Sequence, residues 1–196
     1  MRRLACTVTL LAGALAISGC ATLSQFRALD DVDFSIDGIS EVRLAGVDLS
    51  GIRAFTDLSL ADGATLANAV RQGELPLAME IQVLAQNPAD NAVDARLVNM
   101  DWTLFLEDRE TISGQIVGET VLPRGEPTIV PVVVRLNLVD FFEGSTRDLF
   151  ELALSFTGLG GESKNVTLTA LPVIETIFGP ITYERPIRIV SVDVGG

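Results

Sequence analysis

The stretch LPLAMEIQVLAQNP, residues 75–88, decides how the rest of the chain is read. Leu77, Met79, Ile81, Val83 and Ala85 alternate with Ala78, Glu80, Gln82 and Leu84, the period-2 pattern of a strand with one face in a core. Asn87-Pro88 then stops the strand. Pro88 holds φ near the value required at the second position of a turn, and the short side chains of Asn87 and Asp90 can bond to nearby backbone. Residues 95–106 repeat the theme, with Val98, Met100, Trp102, Leu104 and Leu106 on one face and Asn99, Asp101 and Thr103 on the other. A polar turn at Glu107-Asp108-Arg109-Glu110 leads to a third run, Ile112 to Leu122, and Pro123-Arg124-Gly125-Glu126-Pro127 ends it. The fourth run, Thr128 to Leu138, is almost wholly apolar, which predicts a strand covered on both sides. From Leu75 to Leu138 the expectation is a continuous antiparallel β-meander.

A strand ending in Asn87-Pro88, an alternating second strand, a Gly-containing third, a Pro-Gly turn and a Val-rich fourth together resemble the type 2 late-embryogenesis-abundant family, also called the WHy (water stress and hypersensitive response) domain. The resemblance runs from about Phe34 to Ile189, and Asn87-Pro88 is its most specific piece. The chain departs from the family's Asn-Pro-Asn turn at the third place, where Ala89 stands. What the resemblance implies is an all-β sandwich like those of fibronectin and immunoglobulin domains, a link to desiccation stress, and no known catalysis. Such a sandwich would have about seven or eight antiparallel strands, with one or two short helices beside them.

The N-terminus carries a separate message. Met1-Arg2-Arg3 is positively charged, Leu4 to Ile17 is apolar, and Ile17-Ser18-Gly19-Cys20 follows directly, the layout of an export signal. The apolar run falls short of the roughly 20 residues a membrane-spanning helix needs. The box before Cys20 resembles that of bacterial lipoproteins, which implies cleavage before Cys20, a diacylglyceryl thioether on its sulfur and an amide-linked acyl chain of the palmitate class. Each buried CH2 contributes about 0.8 kcal/mol, so several chains anchor a protein firmly. The resulting division is a signal peptide over residues 1–19, a lipidated Cys20 with an acidic tether to residue 33, and a sandwich domain over residues 34–196. Ala21, in place of Asp, by the same resemblance favours the outer membrane, facing the periplasm, over the inner one.

Composition bounds the rest. With 48% hydrophobic residues in 196 and a mean hydropathy of +0.40, the chain belongs to the folded class and not to the disordered hydrophilic protectants. A net charge of −12 repels nucleic acid and anionic bilayer surfaces, so the expected partners are a membrane held through lipid, a lipid molecule or an envelope protein, and no nucleic acid. Of two cysteines, Cys6 leaves with the signal and Cys20 is acylated, so the domain has no disulfide to hold it together. There is no histidine, and Lys164 is the only lysine. Histidine-based triads and histidine-bearing zinc sites are therefore excluded, and neither an enzyme, a cofactor nor a metal is expected. Asp30-Asp31-Val32-Asp33 reads as a solvated spacer, since a calcium loop needs more oxygen ligands and a Gly turn.

Two helices are expected. One is capped by Asp62, faces inward through Leu66, Ala69 and Val70 and ends at Gly73; the other opens with Ser145-Thr146-Arg147-Asp148, which resembles a capping box with Asp in place of Glu. Leu149, Leu152, Ala153 and Phe156 recur at helical spacing there. That stripe reads either as core packing or as a lid over an apolar cleft formed with Trp102. Gly46 suggests a bulge in the first strand region, and Pro186 an edge position for the last strand.

Overall fold

In chain order the elements are β1 (Asp33–Leu44), β2 (Val47–Asp48), α1 (Leu60–Gln72), β3 (Pro76–Gln86), β4 (Ala95–Leu106), β5 (Arg109–Leu122), β6 (Pro127–Asn137), α2 (Thr146–Ser155), β7 (Lys164–Thr176), β8 (Gly179–Thr182) and β9 (Ile187–Val194). Two short 3-10 turns, Phe55–Asp57 and Leu138–Asp140, complete them. The computed structural model describes residues 32–91, 94–160, 164–176, 179–182 and 185–194. The signal segment, Cys20 and the tether up to Asp31 lie outside these.

The fold is an all-β sandwich with two short helices. One sheet contains β2, β1, β3 and β6, the other β5, β4, β7, β8 and β9, all antiparallel within each sheet. A single parallel pairing, Ser35 with Val190, joins β1 to β9 and closes one side. The other side stays open, because the strand path ends on β5 and on β6.

That order corrects the expected meander. β3 pairs with β1 and β6, whereas β4 pairs with β5 and β7. Of the three connections between β3 and β6 only the one from β4 to β5 is a hairpin, turning at Glu107 (φ 51°) and Asp108 (φ 58°). The other two cross between sheets. β6 also departs from expectation: it is an edge strand with one covered face, Val130, Val132, Val134 and Leu136, and one open face on which Ile129 and Val133 keep 43% and 49% exposure. Pro131 within it is tolerated because an edge strand has a row of backbone groups with no ladder to complete.

The core grows from strand registers. Leu77, Met79, Ile81 and Val83 stand opposite Leu136, Val134, Val132 and Val130, and Leu44 opposite Leu77, all buried. From the facing sheet come Leu97, Met100, Trp102, Leu104, Leu106, Val166, Leu168, Ala170 and Ile189. Each fully buried Leu, Ile or Val contributes about 1.5–3 kcal/mol, which lets the domain fold without disulfides.

Several local expectations shift. β4 has a bulge between Leu97 and Asn99, so Ala95 and Leu97 point inward and Val98 does not. Ala45-Gly46, at φ 47° and 83°, is the two-residue turn of the β1–β2 hairpin and not a bulge; the bulges in β1 lie at Ile36/Gly38 and Ser40/Arg43. α1 is capped by Ser59, whose hydroxyl accepts from the Asp62 amide, and Gly73 ends it at φ 73°. Leu66 is its fully buried residue, with Ala69 and Val70 half-buried. β9 lies between β7 and β1, so the last strand bridges the sheets and Pro186 stands just before it. Lys164, the only lysine, opens β7 opposite Val194.

Candidate functional site

Asn87 follows the last residue of β3 and is 2% exposed. Its Nδ2 donates to the Leu122 carbonyl at 2.8 Å, and its Oδ1 accepts from Asn91 Nδ2 at 2.7 Å. Its own carbonyl accepts from the Gly125 amide at 2.7 Å, and the Pro88 carbonyl from the Asn91 amide at 3.1 Å. Leu122 ends β5 in one sheet, and Gly125 sits in the link that carries the chain to β6 in the other. The Asn87-Pro88 turn is therefore a clasp across the open side of the sandwich. Gly125, at φ 74°, comes so near that a Cβ there would lie 3.1 Å from the Ala89 Cβ. Arg124 adds an exposed pairing to Asp94, with Nε 3.5 Å from Oδ1.

A second asparagine, unsuspected from the sequence, makes a bond pair within one sheet at the other end of β3. Asn137 Oδ1 accepts from the Leu75 amide at 2.7 Å, and its Nδ2 donates to the Gly73 carbonyl at 3.0 Å. It locks the end of β6 to the entry of β3. An isolated Asn in an apolar run was the available signal, since such a residue enters a half-buried position only with partners for its amide.

The proposed cleft residues belong to or pack against one continuous core, with Trp102 on β4, Leu149 and Leu152 on α2 and Phe156 just past its end. Leu149 and Phe156 are buried and Leu152 half-buried, while Phe150 and Leu154, absent from the predicted stripe, complete the inner face. α2 packs against β1, α1 and the Phe55 turn, where Phe150 and Phe55 meet edge-to-face with centroids 5.3 Å apart. The Arg147 guanidinium lies 5.8 Å from the centre of the same Phe55 ring. Trp102 instead covers Gly114 on β5, where a Cβ would lie 2.3 Å from the indole Cζ2.

The start of α2 is a complete capping box. The Ser145 hydroxyl donates to Asp148 Oδ2 at 2.7 Å, the Ser145 amide to the same oxygen at 2.9 Å, and the Asp148 amide returns a bond to the hydroxyl. Those two bonds, hydroxyl first, hold the Asp148 carboxyl below its ordinary 3.8, with a smaller pull from Arg147. Because the folded value is the lower one, the cap contributes fully above the ordinary carboxyl range and is lost as pH falls through the folded value. Melting temperatures of the native chain and of Asp148→Asn are expected to differ at pH 6 and to converge below about pH 4. A constant gap across that range would show that this carboxylate is not the titrating group.

An open groove of about 430 Å3 lies against β4, β5 and β7. Asp101, Thr103, Ser113, Thr169, Leu171 and Pro186 line it. Among the described residues no cluster of three or more acidic or cysteine side chains could hold a metal ion, and no helix is long and apolar enough to cross a membrane.

No protein-family model and no curated protein matches the chain. Among solved structures, one designated a candidate late embryogenesis abundant (LEA) protein aligns over 96% of this chain and 86% of its own, at 11% identity and a TM-score of 0.40. A protein of Arabidopsis thaliana aligns over 63% of this chain and 72% of its own, at 15% identity and a TM-score of 0.38. A protein from Archaeoglobus fulgidus aligns over 60% and 86%, at 14% and 0.35.

Proposed function

We propose that the chain is a non-enzymatic, lipid-anchored domain of a bacterial envelope, related to the type 2 late-embryogenesis-abundant family and acting under water stress. The observation that carries this reading is the Asn87-Pro88 turn. The residues that carry the family resemblance are the ones that clasp the two sheets, so the motif has a structural reason to stand where it does. Cys20 would supply the anchor, and the acidic tether would set the folded body away from the bilayer. Without histidine, and with one lysine, the chain lacks the usual nucleophile–base pairs, which supports a role in binding or protection. Deletion of the gene is expected to reduce survival of both drying and hyperosmotic shock, and Cys20→Ser to abolish acyl labelling of the product. Unchanged survival in both assays would defeat the stress role; an unlabelled native product would defeat the anchor.

A second reading is favoured by the open side of the sandwich. β5 and β6 end the strand path and carry exposed Val117, Val121, Ile129 and Val133, the features of an edge that takes up a partner strand. An unaltered set of envelope partners after a proline is placed in β5 would reject it. The apolar-cleft reading, with Trp102, Leu149, Leu152 and Phe156 around a lipid chain, predicts extra mass in native mass spectrometry of the chain purified gently from cells.

A further inference from the structure

We infer that the outer face of the second sheet is a binding groove for a neutral polyhydroxylated ligand, of the class of a short sugar chain. The inference goes beyond the stress reading and does not rest on it.

Trp102, Gly114 and Ala170 are register partners on the inner side of β4, β5 and β7, so their neighbours Thr103, Ser113 and Thr169 face outward together. These three hydroxyls form a row across three adjacent strands, at a strand spacing of about 4.8 Å. The Thr103 and Ser113 hydroxyls lie 3.2 Å apart, and that of Thr169 makes one long bond, 3.5 Å, to the Thr103 carbonyl. A hydroxyl offers one donor and two acceptor positions, so the row keeps free capacity that faces solvent. Beside it stands Asp101, whose Oδ1 accepts from Gln115 Nε2 at 2.7 Å. That bond fixes the carboxylate while leaving Oδ2 for an incoming hydroxyl. Leu171 and Pro186 supply an apolar wall.

Sugars present hydroxyls at their rims and C–H surface on their faces. A row of hydroxyls with a fixed carboxylate on one side and apolar surface on the other matches both. The groove volume of about 430 Å3 falls within the roughly 300–1,000 Å3 of small-molecule sites. Asp101 and the net charge of −12 disfavour an anionic ligand, and the hydroxyl row beside the apolar wall favours a ligand that carries both hydroxyls and C–H surface.

Calorimetric titration of the full chain with cellobiose and with chitobiose, alongside amide NMR shifts, tests the inference. The expected result is saturable binding of at least one of them, with a dissociation constant on the order of 1 mM. Shifts should centre on residues 101–103, 113–115 and 169–171, and Thr103→Val or Thr169→Val should weaken binding roughly tenfold with folding unchanged. No saturation by either sugar below about 50 mM, shifts centred elsewhere, or undiminished affinity in both valine variants would overturn it.

Discussion

Replacing Asn87 by Ala is expected to lower the unfolding free energy by about 2–4 kcal/mol, because each buried partner left without a bond costs about 1–3 kcal/mol. The Leu122 carbonyl and the Asn91 amide group are the partners affected. Asn87→Asp keeps the shape but turns an acceptor toward the Leu122 carbonyl, so it should be at least as damaging. Asn91→Ala removes the bond to Asn87 Oδ1 and keeps the one to the Leu122 carbonyl, so it should cost less. Urea unfolding checks the order, and Asn87→Ala within about 0.5 kcal/mol of the native chain would show that the clasp does not hold the open side. Ala89→Asn, which makes the turn Asn-Pro-Asn, should change little, because Ala89 is exposed.

Gly114→Val is expected to destabilise by about 1–3 kcal/mol or more, as overfilled cores do. The first added atom alone would lie 2.3 Å from the Trp102 ring, so the indole must leave its place or the β4–β5 ladder must open. Trp102 is the sole tryptophan, which makes its fluorescence a direct reporter: the native emission should be blue-shifted by burial and the variant's red-shifted. A double variant, Gly114→Val with Trp102→Leu, should recover part of the loss. If Gly114→Val alone kept both native emission and native stability, the close approach of ring and glycine would be wrong.

Much of the local structure was legible in the chain. The alternation of residues 76–86 reappears in β3 position by position, and the Ser145 to Asp148 box caps α2 as its sequence implies. Gly73 ends α1 in the left-handed conformation its place suggested. Bulges were less legible: at Val98 an extra residue shifts the inward phase, and an apolar β-branched side chain gives no sign of being displaced from the core face. The phase of α2 was misread in part for a similar reason. Its apolar residues outnumber the positions on one face, and the packing of α2 against β1, α1 and the Phe55 turn selects Phe150 and Leu154 along with Leu149.

The candidate site divided in the same way. The Asn87-Pro88 turn could be found from residue types, because a proline and a short amide have few conformations to choose from. The hydroxyl groove could not, since Thr103, Ser113 and Thr169 come from three separate strands and nothing in any one of them marks the meeting.

By itself, the amino-acid order determined the four strands between residues 75 and 138, the two helices, most buried faces, the turn at Asn87 and the lack of histidine chemistry. These depend on contacts within a few residues or on composition alone. Only the tertiary structure decided that β3 and β4 lie in opposite sheets, that β9 joins them, and that β6 is an edge. Alternation tells which side of a strand meets the core, and two strands facing that core from opposite sides carry the same pattern as two side by side.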